Sequence, residues 1–107
     1  MGKYHTNEAT DLFAQACITM CKARTMMRDD IAAALRENNK RIVLKDPFYL
    51  LGEYDSDICS EIYLDEWGYV VLSGCYNRCL ENIDSIQVGY LYTHLRNEGV
   101  FGDEEKC

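Results

Sequence analysis

Apolar residues along the first third of the chain recur at helical spacing. Ala9, Phe13, Ala16, Met20, Ala23 and Met27 alternate steps of four and three, and Ala34 lies seven residues further on. That spacing puts them on one stripe of a helix, which Leu12, Cys17, Ile31 and Leu35 widen. Asp11, Gln15, Lys22, Asp29 and Arg36 fall on the opposite side. Residues 7–38 contain neither Gly nor Pro, Thr6 or Asn7 suits the N-cap, and Asn38 and Asn39 end the pattern. At 1.5 Å per residue one unbroken helix of this span is about 45–48 Å long, more than a compact domain of this size can cover. Either one end projects and packs on a second copy, or the chain bends at Arg28, Asp29 and Asp30. The expectation is that the first half of the stripe covers the protein's own sheet and that the second half is the part open to a homodimer contact.

The pattern then changes period. Residues 41–45 read Arg-Ile-Val-Leu-Lys, a first strand, which Asp46 and Pro47 break; residues 48–51 resume as a kinked or neighbouring strand. A polar loop covers 52–57. Ile58, Ser60, Ile62 and Leu64 alternate with Cys59, Glu61, Tyr63 and Asp65, the period-two mark of a strand. Asp65, Glu66, Trp67 and Gly68 make a tight turn, and Tyr69, Val70, Val71, Leu72 and Ser73 return, so 58–73 is a hairpin. Asp84 caps a last helix over 84–98, with Gln87 in the capping-box position and Ile83 and Val88 as a hydrophobic staple. Val88, Leu91, Tyr92 and Leu95 face inward, and Gly99 stops the helix. The expected architecture is one α+β domain over 1–107: a long N-terminal helix, straight or kinked, a three- to four-stranded antiparallel sheet, and a C-terminal helix, with both helices on one sheet face and an acidic tail over 102–107.

Composition narrows the class. A 107-residue chain with 48% apolar residues supports one core. No apolar run approaches the ~20 residues that cross a bilayer, and the amphipathic start does not read as a signal peptide, so a cytoplasmic protein with reduced thiols is expected. Gly2 and Thr6 match the short myristoylation pattern. The net charge of −7 is unevenly laid out: residues 1–45 hold eight Lys/Arg and five acids, and residues 46–107 three and thirteen. The second half therefore repels phosphate and attracts a basic protein surface. Double-stranded RNA-binding domains share the helix, three strands, helix order. They place lysines at the start of the second helix, where this chain has Glu81 and Asp84, so direct nucleic-acid binding is not expected.

Candidate chemistry is sparse. Cys17 with Cys21 and Cys75 with Cys79 form two C-x3-C pairs, a four-thiolate set for structural zinc; the alternative is that they are ordinary small apolar side chains. Cys79 lies beside Arg78, as an activated thiol would, but Glu81 and Asp84 oppose the effect. His5 and His94 have no evident partners in a catalytic constellation, and no nucleophile elbow, metalloprotease helix, phosphate loop or dinucleotide fingerprint is present. No cofactor is expected. Aromatics mixed with acids stand out instead: Tyr54, Asp55, Asp57, Tyr63, Asp65, Glu66, Trp67 and Tyr69 are candidate partner-binding residues, with Trp67 at the hairpin tip as the anchor. The bland alternative pairs Tyr63 with Tyr69 across the strands and folds Trp67 over the hairpin. The expected function is a small non-enzymatic protein-binding module, an inhibitor or regulator that meets a larger protein with a basic surface. In general style, a short acidic chain with a clean hairpin, it resembles small proteins of phages and mobile elements. An anti-defence protein is one example of an inhibitor or regulator with such a charge layout.

Overall fold

The computed structural model describes residues 6–50 and 58–102. Helix α1 spans Thr6–Glu37. Strands β1 (Arg41–Tyr49), β2 (Ile58–Leu64), β3 (Val70–Gly74) and β4 (Asn77–Cys79) follow, then a 3₁₀ turn at Leu80–Asn82 and helix α2, Ser85–Asn97. The strands form one antiparallel sheet in the order β1-β2-β3-β4. The α+β class, the long helix and the hairpin are thus as the residue pattern predicts. β4 is the addition: three residues are too few to show a period.

Helix α1 runs unbroken through Arg28, Asp29 and Asp30. Its end is set by Asn39 and Lys40, both left-handed at φ 62° and 68°. The amides of Asn38 and Lys40 return to the carbonyl of Leu35, and the Asn38 side chain donates to the Ala34 carbonyl at 2.7 Å. These bonds satisfy carbonyls that the helix end would otherwise orphan.

The core is built from Ile31, Ala32 and Leu35 of α1, Leu44 and Leu50, Cys59 and Ile62 of β2, Val70 and Leu72 of β3, Leu80, and Val88, Leu91 and Leu95 of α2. Ile42, Ile62 and Leu72 stand opposite one another across β1, β2 and β3, so this face of the sheet carries the helices. The helices lie side by side in the same sense: Arg24 Nη1 donates to Ser85 Oγ at 3.3 Å, and six residues on in α1 the Tyr92 hydroxyl donates to Asp30 Oδ2 at 2.6 Å. Because α2 begins only at Ser85, level with Arg24, it has nothing to offer the part of α1 before that point. Every residue over 7–22 is exposed, and burial of α1 starts beyond it. This reverses the expected division of labour. The second half of the stripe covers the protein's own core and the first half is uncovered.

Two bulges re-aim side chains. Between Val43 and Phe48 the β1–β2 register shifts. Pro47 has no amide to lose there, and the amides of Lys45 and Asp46 donate to Glu98 Oε1 at 2.8 Å and Oε2 at 3.0 Å. Asp46 and Pro47 therefore kink β1 without ending it. A second shift, between Cys59 and Glu61, turns Cys59 to the core and leaves Ser60 exposed, the opposite of a simple alternation with Ile62. On α2, Asp84 Oδ1 accepts the Gln87 amide at 2.8 Å, as an N-cap should. The reciprocal half of the capping box is not made: Gln87 Oε1 is buried without a hydrogen-bond partner. Gly99, at φ 81°, turns the chain so that Val100 and Phe101 fold back on the core, with Phe101 4.8 Å from the Tyr92 ring.

Candidate protein-binding surfaces

The sheet has one face without helices. Tyr63 and Val71 are directly opposed on it, flanked by Arg41 and Cys79, and the next row is Val43, Glu61, Ser73 and Asn77. Since Leu64 pairs with Val70 on the core side, Asp65 and Tyr69 continue the open face to the hairpin tip. The tip is ordered by Asp65, whose Oδ1 accepts the amides of Trp67 at 2.9 Å and Tyr69 at 2.8 Å, with Gly68 at φ 85°. An aspartate holding two amides fixes the turn and leaves the Trp67 side chain outside it, 75% exposed. Trp67 does not fold over the hairpin. Tyr63 sits diagonal to Tyr69 rather than directly across from it. Tyr63, Asp65, Glu66, Trp67 and Tyr69 thus share one rim; Tyr54, Asp55 and Asp57 lie outside the described residues, as does His5.

The electrostatics are more internal than the charge layout suggests. Arg41 Nη2 lies 2.9 Å from Glu61 Oε1, and Arg28 Nε lies 3.4 Å from Glu81 Oε2. Glu98 holds two amides and His94, whose Nε2 is 2.8 Å from Glu98 Oε2 and 2.9 Å from the Asp46 carbonyl oxygen; with two acceptors in front of it, Nε2 carries the proton. Burial alone would raise the Glu98 carboxyl, but the Asp46 and Lys45 amides and His94 outweigh it and hold it below the ordinary carboxylate range. Asp84 and Asp65 serve as backbone caps. Part of the negative excess is therefore matched within the fold by arginines and amides, and Glu66 beside Trp67 is the exposed carboxylate at the tip.

The cysteines do not converge. Cys17 and Cys21 are exposed on the uncovered length of α1, Cys75 is exposed after β3, and Cys79 is half-buried on the open sheet face. Among the described residues no three His, Cys, Asp or Glu side chains gather at metal-binding distance, so the four-thiolate set is not assembled. Among the described residues Cys59 is the buried thiol; desolvation pushes it up to about 11, against backbone hydrogen bonds that lower it. His94 sits at the rim against Phe48, ring centroids 5.3 Å apart. No described helix is long and apolar enough to cross a membrane.

A second surface lies on the first half of the α1 stripe, which the sequence assigns to the protein's own sheet. Phe13, Ala16, Cys17 and Met20 line one side of an open groove of about 430 Å³, and Asp84, Ser85 and Ile86, at the start of α2, line the other. Phe13 is 70% exposed and Ile86 57%. The signal that could have revealed it is local: residues 12–21 read LFAQACITMC, ten positions with no charge on any side of the helix. No family model, curated protein or solved structure matches the chain.

Proposed function

We propose that this chain is a non-enzymatic protein-binding module whose hairpin rim, Tyr63, Asp65, Glu66, Trp67 and Tyr69, docks on a larger protein with a basic, partly apolar surface. The observation that carries the reading is Trp67, held outside an ordered turn beside an exposed carboxylate. A large aromatic at that position gains from being covered, and rigid aromatic anchors dominate protein contacts. The charge contribution is smaller than the net −7 implies, because Glu61, Glu81 and Glu98 have internal partners. It steers the encounter more than it sets affinity. The reading places the chain among cytoplasmic inhibitors or regulators, such as the anti-defence proteins of phages and mobile elements, with no direct nucleic-acid or membrane contact. It includes self-association through the N-terminal helix as a separate contact.

The test is capture of partners from the native cell with the wild-type chain, Trp67→Ala and Glu66→Lys, at low and high salt. Loss of a specific partner with Trp67→Ala, and weakening with Glu66→Lys that is largest at low salt, supports the reading. Equal capture by all three chains at both salt concentrations overturns it.

A further inference from the structure

We propose that two copies of this chain associate by laying the uncovered length of α1, residues 7–22, antiparallel into each other's groove. The proposal rests on the protein-binding reading above but uses a different surface.

The stripe that buries Ile31 and Leu35 continues without interruption through Met20, Ala16 and Phe13, on the same side of α1, after the protein's own cover has ended. An amphipathic face left bare over four turns calls for an apolar occupant. The stripe matches itself. Placed antiparallel about a two-fold axis between Ala16 and Cys17, Phe13 of one copy stands level with Met20 of the second, and Ala16 with Cys17. Small residues then sit where the helices cross and large ones flank them, as close helix packing requires. The arrangement keeps the two acidic bodies at opposite ends of the pair.

Size decides how far the contact extends. Sixteen helical residues make an arm about 24 Å long and about 10 Å across, and covering half of such a cylinder on each copy removes roughly 750 Å² in total. A stable interface needs about 1,200 Å². Paired arms alone fall short, so the tip of each arm must reach the body of the other. With this register Ala9 of the second copy comes level with Arg24, beside Ser85 and Ile86, which is where the groove lies. Ile86 there is an exposed apolar side chain positioned to be covered. A membrane surface is a poorer occupant, because the polar side of the arm carries Asp11 and Lys22 rather than the row of Lys and Arg that binds anionic lipid.

The test is the mass of the full chain in solution by sedimentation or light scattering at several concentrations above micromolar. Expected is twice the 12.4 kDa chain mass. Phe13→Glu combined with Met20→Glu should return the mass to that of one chain while the far-ultraviolet spectrum keeps its helical shape. A chain retaining Cys17, with Cys21, Cys75, Cys79 and Cys107 replaced by Ser, should give a covalent dimer with a short bis-maleimide. Trp67→Ala should leave the mass unchanged, so failure of the hairpin reading and failure of this one are separate results. A wild-type mass of one chain throughout overturns the proposal, whether or not the chain then binds anionic vesicles or another protein through the arm. A dimer that survives Phe13→Glu with Met20→Glu, or that gives no Cys17 cross-link, overturns it equally.

Discussion

Glu98, just past the end of α2, accepts the backbone amide of Lys45 at 2.8 Å, and so ties the last helix to the bulge in the first strand. The second carboxylate oxygen takes the Asp46 amide at 3.0 Å and His94 at 2.8 Å, and the Glu98 side chain is only 8% exposed. Removing the acceptor leaves two bulge amides with no ladder partner. Glu98→Ala is expected to destabilise the fold by about 2 kcal/mol, read from the midpoint of denaturant unfolding. The pH dependence has a definite sign. The carboxyl titrates lower in the folded chain than its ordinary 4.5, so the unfolded chain binds the extra proton first. Its contribution is present above that value and fades as the pH falls through the folded pKa. Glu98→Gln should therefore flatten the acid limb of melting temperature against pH.

Two glycines predict opposite signs. A Cβ on Gly74 would lie 1.9 Å from the Ile58 carbonyl oxygen and 2.8 Å from its carbon, both backbone atoms of the neighbouring strand. Gly74→Ala must push β2 and β3 apart beside the second bulge, and about 3 kcal/mol of lost stability is expected. Gly89 lies inside α2 with nothing within 4 Å of the same position. Gly89→Ala should stabilise by about 0.5–1 kcal/mol. Thermal or chemical melts of the two variants check the pair.

Arg24 and Arg28 occupy neighbouring turns of α1 but differ in what they hold. Arg24 Nη2 donates to the carbonyls of Leu80 at 3.0 Å and Glu81 at 3.3 Å, closing the 3₁₀ turn against the helix. Arg28 makes ion pairs with Glu81 and Asp29 through side chains that are all 36% exposed or more. Arg24→Met should cost about 2 kcal/mol, since it strips two carbonyls of a charged donor. Arg28→Met should cost about 0.5 kcal/mol, the worth of a screened surface pair. Equal losses in denaturant unfolding would contradict this ranking.

The thiols should separate kinetically. Cys59 is buried and pushed up to about 11, so it should resist a thiol reagent near neutral pH until the sheet opens. Cys75 is exposed, away from α1, and should react at ordinary rates. Mass spectrometry of partly labelled protein distinguishes the sites, and the slow phase should accelerate in Gly74→Ala, because opening is then easier.

Trp67→Ala should change stability by less than about 0.5 kcal/mol, because a side chain 75% exposed at a turn tip takes little part in the core. An unchanged melting curve would let any lost partner binding be assigned to the surface itself.

What the residue order determined by itself was everything with a short period. The stripe from Ala9 to Leu35 specifies a helix, the alternation over 58–73 with Gly68 specifies a hairpin, and Asp84 with Gln87 specifies where α2 starts. Those signals are local, since each depends on residues a few positions apart. The rim of Tyr63, Glu66, Trp67 and Tyr69 was legible for the same reason. The tertiary structure alone decided which part of the stripe is covered. Phe13 and Ile31 lie on the same side of α1, and the start of α2 level with Arg24 decides which of them is covered. It also decided that Cys59 rather than Ser60 faces the core, and that Glu61, Glu81 and Glu98 are answered from within the chain. Periodicity fixes which side of an element is apolar, but burial and charge pairing depend on what the rest of the chain, tens of residues away, places against that side.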